Sequence, residues 1–351
     1  MAQESSSQSY ISIKCRNLSF AAIVAVVLIH SNSLVTVQTA QPWAVRFCDL
    51  VCLKTTCWAV PFFFLTSGYW FGKGEYIKTG GAYSFFKKKF ATLGVPYVVF
   101  VLLGLVSLYI LHWSYIFILG ATPNKQLIWS YDILGFTRIL PHGNGPLWFL
   151  RSLIIIFALA PVWRFCLRRC RYVLLLLGLT AMISPPLVID GYIPFRIGQA
   201  SFFFWGVFLS GFDISVTREI AWHYPKTYSC LCCLCSICFL GWAWLVPYGI
   251  PRTGLMPLSL LVVVWLGYDA IVKKGHNPCP LASYVFWIFC SHMILLDCIL
   301  PIVRLMKISS SIMLVVVTFV CCFVTLAIDI GIGSCLKVKI PRLYNIAVGN
   351  R

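Results

Sequence analysis

The sequence predicts an all-α fold: a polytopic transmembrane helix bundle of about ten spans, with both termini in the cytoplasm. Three observations carry this. Of the 351 residues, 60% are hydrophobic and 11% are charged, with a mean hydropathy of +0.87; a soluble domain is roughly half apolar and a quarter charged. Apolar windows of about twenty residues, the length that crosses a hydrocarbon layer, recur along the whole chain. Lysine and arginine are unevenly shared between the connections: with the N-terminus inside, nineteen of the 28 fall in cytoplasmic segments, the bias that orients membrane proteins.

The windows are 18–37, 50–71, 93–112, 147–165, 172–189, 199–212, 229–248, 255–272, 283–300 and 311–336. The chain 1–351 therefore reads as a single membrane domain with its bundle over about 18–336, because the longest outer loop, about 113–146, is too short to fold alone. A net charge of +18 suggests nucleic acid in a soluble protein, but here the basic residues sit in loops between spans. The expected partner is the lipid bilayer and not nucleic acid, and the expected location is the cell membrane (plasma or inner), multi-pass.

The polar N-terminus precedes RNLSFAAIVAVVLIHSNS, Arg16 to Ser33. This apolar run is longer than the core of a typical cleaved signal peptide. If the helix enters the membrane near Leu18, His30 lies about 18 Å in, slightly past the middle of a layer about 30 Å thick. A histidine there either hydrogen-bonds between helices or does chemistry facing a cavity or partner. The second span has Lys54 near its edge and ends VPFFFLTSGYWFGK, where Ser67 and Gly68 are small residues that permit close approach of a helix or a ligand. The loop behind it, YSFFKKKFATLGVPY, holds Lys87, Lys88 and Lys89, a positive-inside anchor that also suits the phosphates of a nucleotide-like donor.

The long outer loop closes with PHGNGPLWFLRSL. Arg151 lies about 7 Å inside the membrane edge, either snorkelling to the headgroups or pointing inward as a fixed charge. Asp190 and Arg196 flank an outer turn and can pair. The run CLCCLCSIC, Cys230 to Cys238, resembles a metal cluster, but it starts an apolar helix with no histidine or acid nearby, so cysteine here reads as a small hydrophobe and no metal site is expected. Cys48, Cys52 and Cys57 lie near the outer face, where an oxidising compartment would allow disulfides. The ninth span, ASYVFWIFCSHMILLDCILP, places His292 about 12–15 Å from its inner entry, a second midplane histidine, with Asp297 beyond it. Asp329, late in the tenth span, either snorkels to the cytoplasm or binds a cation from the lysines that follow.

Four stretches together, RNLSFAAIVAVVLIH, PFFFLTSGYW, KKKFATLGVPY and PLWFLRSL, resemble the acyltransferase-3 family of integral-membrane acyltransferases. SYVFWIFCSH is similar to that family's late aromatic-histidine motif, and the order and spacing match over about residues 12–335. The resemblance implies transfer of an acyl group, commonly acetyl, from cytoplasmic acyl-CoA to a hydroxyl of a saccharide or lipid-linked envelope component, with no bound cofactor. It places the family's histidine on His30, its Ser-Gly motif on Ser67 and Gly68, and its basic motif on Lys87–Lys89. Two positions depart from the pattern: Ser19 stands where many members have an arginine, with Arg16 the nearest basic residue on the same helical face, and Thr92 stands where a second arginine is usual. Both fall on the side where donor phosphates would bind.

In this reading His30 is the catalytic group, removing a hydroxyl proton or carrying the acyl group, and Arg151 or His292 stabilises the developing oxyanion. Arg16, Ser67, Gly68 and the lysine run bind the donor. The competing class is a transporter, for instance an exporter of an organic anion or envelope intermediate, since intramembrane histidine and arginine also serve ion paths. The two halves of the chain show no obvious repeat of the kind many transporters have.

Overall fold

The computed structural model describes residues 2–32, 40–119, 145–183, 197–245, 254–272 and 277–350. Among the described residues the chain forms sixteen α-helices: α1 (Ala2–Ser31), α2 (Pro42–Cys48), α3 (Ala59–Lys73), α4 (Glu75–Thr79), α5 (Ala82–Lys89), α6 (Val95–Leu119), α7 (Trp148–Ala158), α8 (Ala160–Arg169), α9 (Arg171–Ile183), α10 (Ile197–Leu209), α11 (Val216–His223), α12 (Pro225–Leu245), α13 (Leu255–Ile271), α14 (Val285–Leu305), α15 (Ser311–Lys339) and α16 (Pro341–Ala347). No strand occurs among the described residues.

The described part of each expected window is largely helical; the windows 18–37, 172–189 and 229–248 run on beyond the described residues. Six stretches are long and apolar enough to cross a bilayer by themselves: Tyr10–Ser31, Pro42–Lys73, Ala82–Leu111, Pro225–Leu245, Pro280–Leu305 and Ser311–Lys339. A seventh forms if α7 and α8 count together. α9, α10 and α13 are shorter within the described residues. The protein is thus a multi-pass, all-helical membrane protein. The window 147–165 is not one straight helix: α7 and α8 meet at 62°. Pro161 has no N–H for the Phe157 carbonyl and its ring crowds that turn, while Trp163 Nε1 donates to the Ile156 carbonyl at 2.7 Å.

α1 runs through the middle, against α3, α14 and α15. It extends well before the expected entry at Leu18, and Ile11, Lys14 and Cys15 are already buried. Lys14, one of the nineteen cations assigned to cytoplasmic segments, lies in no loop: it is fully buried, 2.7 Å from Asp269 on α13, itself fully buried. Tyr10 Oη also donates to Asp269 Oδ1. Thr217 Oγ1 and Tyr228 Oη donate to Oδ2 at 2.9 and 3.1 Å, and Lys14 Nζ sits 3.7 Å above the Trp265 ring. A buried carboxylate needs this many donors, because taking two charges from water costs more than their attraction alone returns.

α3 and α10 form the most intimate helix pair. A Cβ on Gly68 would stand 2.1 Å from the Phe203 carbonyl oxygen, one on Gly206 2.0 Å from that of Leu65, and one on Gly72 1.9 Å from Ser210 Oγ. These glycines let two backbones touch, as small residues do between membrane helices. Lys54, expected at the edge of the second span, is buried; its Nζ donates to the Ala243 carbonyl at 2.7 Å and lies 3.2 Å from Asp49 Oδ2. All seventeen cysteines are free thiols, Cys48, Cys52 and Cys57 included. Cys230, Cys233 and Cys238 are exposed along α12. The expected Asp190–Arg196 pair lies outside the described residues.

Two stability outcomes follow. Gly68→Ala should lower the unfolding midpoint in detergent, by a cost of about 1–3 kcal/mol for overpacking, while Gly241→Ala, with nothing within 4 Å of its added carbon, should raise it slightly, by up to ~1 kcal/mol. Asp269→Ala should cost about 3–5 kcal/mol by stranding the Lys14 charge, and Lys14→Met combined with Asp269→Leu should recover most of that loss. Midpoints at one fixed scan rate test both.

Candidate active site

A cavity of about 1110 Å³ opens where the N-terminal half of α1, the end of α3, helices α4 and α5, the start of α14 and the end of α15 come together. α1 presents one face to it. Ser12, Arg16 and Ser19 line the wall, at the three- and four-residue spacing of a helical stripe. His30 lies eleven residues beyond Ser19 and fourteen beyond Arg16, within about 40° of the same face. Ser67 on α3 lines the opposite wall. The charged lining residues are Arg16, Lys88, Lys89 and Lys337 against a single acid, Glu75. Lys89 Nζ lies 4.0 Å over the Phe157 ring, which itself lines the cavity.

Arg16, Ser67, Lys88 and Lys89 thus share one chamber. Gly68 and Lys87 do not line it. Gly68 faces the α10 backbone, and a residue one step along a helix from Ser67 must point about 100° away. Lys87 is exposed, 6.0 Å over the Tyr83 ring.

The two histidines lie elsewhere. His30 and His292 face each other with ring centroids 5.4 Å apart, His292 fully buried and His30 half-buried. His292 Nδ1 is 2.8 Å from the Ile288 carbonyl oxygen. A carbonyl only accepts, so Nδ1 carries the hydrogen and Nε2 of the neutral ring is an acceptor. Nε2 is buried with no hydrogen-bond partner among the described residues. Neither histidine lines the cavity. Phe63 on α3, Phe149 on α7 and Phe289 on α14 all line the cavity, and Phe289 links its wall to the histidines. Phe289 lies 6.3 Å from the His292 ring.

Arg151 is 8% exposed, so of the two readings the inward one holds, and it does not snorkel. It sits on α7 beside Leu150 and Leu153, which wall the chamber. Asp329 neither snorkels nor meets a lysine. It is fully buried, and Ser291 Oγ, next in the chain to His292, donates to its Oδ1 at 2.6 Å. Its backbone carbonyl accepts from Trp287 Nε1 at 3.0 Å.

Sequence reasoning did not place Lys337 or Tyr344 at a donor site, because the C-terminal cations were read as an orientation signal and as candidate partners for Asp329. Pro341 starts α16, which turns back so that Tyr344 is buried, 5.8 Å from the Trp287 ring, and lines the chamber. Helical counting along α15 was the available signal for Lys337. Among the described residues no group of three or more histidine, cysteine or acidic side chains gathers as a metal site.

A basic chamber and a histidine pair are thus joined through Phe289, which lines the first and meets the second. Among curated proteins and among solved structures nothing matches the chain. The family model described as an acyltransferase domain matches residues 20–330, nearly the whole bundle, and the chain accordingly belongs to the acyltransferase-3 family and is a multi-pass membrane acyltransferase.

Proposed function

We propose that the protein transfers an acyl group, acetyl in the first instance, from cytoplasmic acyl-CoA to a hydroxyl of a saccharide or lipid-linked envelope component on the outer face of the cell membrane. In this reading the ten helical windows are ten crossings, α9, α10 and α13 being the short ones, and both termini are cytoplasmic. The observation that carries the proposal is the chamber itself. Four cations and one acid surround a space walled further in by phenylalanine, which suits a donor with phosphates at one end and an apolar thioester arm at the other. Lysines hold phosphates as point charges, and the basic end lies where the positive-inside bias puts the cytoplasm.

The chemistry follows from the positions. His30, held against His292, takes the proton of the acceptor hydroxyl. The hydroxyl oxygen attacks the thioester carbonyl, the C–S bond breaks, and the departing sulfur receives a proton to leave as the CoA thiol. His292, whose Nδ1–H is committed to the Ile288 carbonyl, has no hydrogen left to give an oxyanion while neutral. It therefore positions His30, and Arg151, a fixed cation with five N–H donors, is the better oxyanion partner.

His30→Ala should reduce acyl transfer by at least about 10²-fold with the unfolding midpoint unchanged; a normally folded variant of undiminished activity would sink the assignment. Lys88→Gln and Lys337→Gln should each raise KM for acyl-CoA by about tenfold, the equivalent of one charge-assisted contact, with kcat preserved. A loss confined to kcat would place the phosphates elsewhere. Envelope glycans isolated with and without the gene should differ by an ester-linked acyl group, and identical glycans would remove the acceptor assignment.

A further inference from the structure

The chamber and the histidines do not meet, and what closes the gap is specific. Phe63, Phe149 and Phe289 come from three different helices, α3, α7 and α14. Their ring centroids are 6.0 Å apart for Phe63–Phe149, 6.4 Å for Phe63–Phe289 and 5.3 Å for Phe149–Phe289. Each ring touches both others, so the three form a closed triangle. All three rings belong to the chamber wall, and Phe289 also meets His292, which meets His30.

We propose that this triangle is an aromatic collar that selects the acyl group by size and bars water from the thioester. The inference rests on the reading that acyl-CoA occupies the chamber, and it adds the residues that decide which acyl group reaches the histidine. Rings at these separations are in van der Waals contact and leave no channel between them, so an acyl group advances only as a ring turns aside. A two-carbon acyl group needs the displacement of one ring. A long chain needs all three displaced at once, against packing from three helices. The rings offer no hydrogen bond to water, and Phe149 and Phe289 are buried. That matters because water at the histidine pair would compete with the acceptor: it would add to the thioester carbonyl, the C–S bond would break, and free acid and thiol would be released.

Phe63 is the least buried of the three and is the first position to change. Phe63→Ala opens the collar. Phe289→Leu keeps an apolar side chain at the buried corner and keeps the test informative where the truncation unfolds. Membranes of the cells that make the protein, carrying wild type or variant, are given radiolabelled acetyl-CoA or octanoyl-CoA. Incorporated label is read as transfer, and thiol release by purified protein without acceptor is read as hydrolysis. The collar predicts that the ratio of acetyl to octanoyl transfer falls at least tenfold in the variants and that acceptor-free thiol release from acetyl-CoA rises severalfold. Variants with the wild-type unfolding midpoint that keep both the ratio and the low hydrolysis overturn the collar. So does an equal loss of transfer from both donors. If wild type neither incorporates label nor releases thiol with any acyl-CoA, the donor assignment falls and the collar with it; wild-type turnover with an unchanged ratio removes the collar alone.

Discussion

The buried ion pair between Lys14 and Asp269 sets the position of everything that α1 carries. Two charges that have left water are held only where their geometry is satisfied, and Asp269 receives Lys14, Tyr10, Thr217 and Tyr228 at once. The pair therefore fixes α1 in both depth and rotation. Sixteen residues separate Lys14 from His30, about 24 Å along the axis and about 160° around it. Lys14 faces α13 while His30 faces α14. A slip of one residue would turn His30 by about 100°, away from His292, and would carry Arg16 and Ser19 off the chamber wall.

The glycine contacts do for α3 what the ion pair does for α1. With Gly68 and Gly72 seated on α10, the neighbouring faces of α3 have fixed directions. Ser67 and Phe63, four residues apart on one stripe, both reach the chamber. Gly68 thus contributes to the chamber by placing its neighbours, and the Ser-Gly pair divides into a residue that lines and a residue that packs. The bend at Pro161 has a comparable effect at the other wall, since α7 ends there and presents Phe149, Leu150 and Leu153 to the space.

The class of fold was legible because hydrophobic length and cation asymmetry are local, additive signals. Each window has helix in its described part for that reason, and six stretches, or seven with α7 and α8 together, are long and apolar enough to cross alone. Arg16 and Ser19 were legible as neighbours of one wall because both lie on a counted face of α1, and that wall proved to be the chamber's. What escaped depends on partners far along the chain. Lys14 read as one more cytoplasmic cation because Asp269 is 255 residues away. Asp329 looked free to snorkel because Ser291, 38 residues earlier, was not known to face it. Gly68 was assigned to the donor because nothing local distinguishes a glycine that admits a ligand from one that admits a helix. The phenylalanine triangle is the strongest case: three apolar residues among 26 phenylalanines carry no signal until three helices converge.

In the proposed reading, the two parts of the site answer two different chemical demands. A donor with phosphates needs cations and solvent, and an exposed lysine holds phosphate at little desolvation cost. A base at midplane needs the opposite, since water there both competes for the thioester and screens the charge that develops during attack. One space cannot satisfy both demands, so in that reading the boundary between the chamber and the histidines must pass the acyl group and stop water. That boundary has to be apolar, contributed by more than one helix, and adjacent to the base. Phe63, Phe149 and Phe289 meet all three conditions. The committed Nδ1–H of His292 adds a fourth constraint on the far side. A neutral His292 can only accept at Nε2, so in the proposed reading the group that donates to an oxyanion must come from another helix, as Arg151 on α7 can.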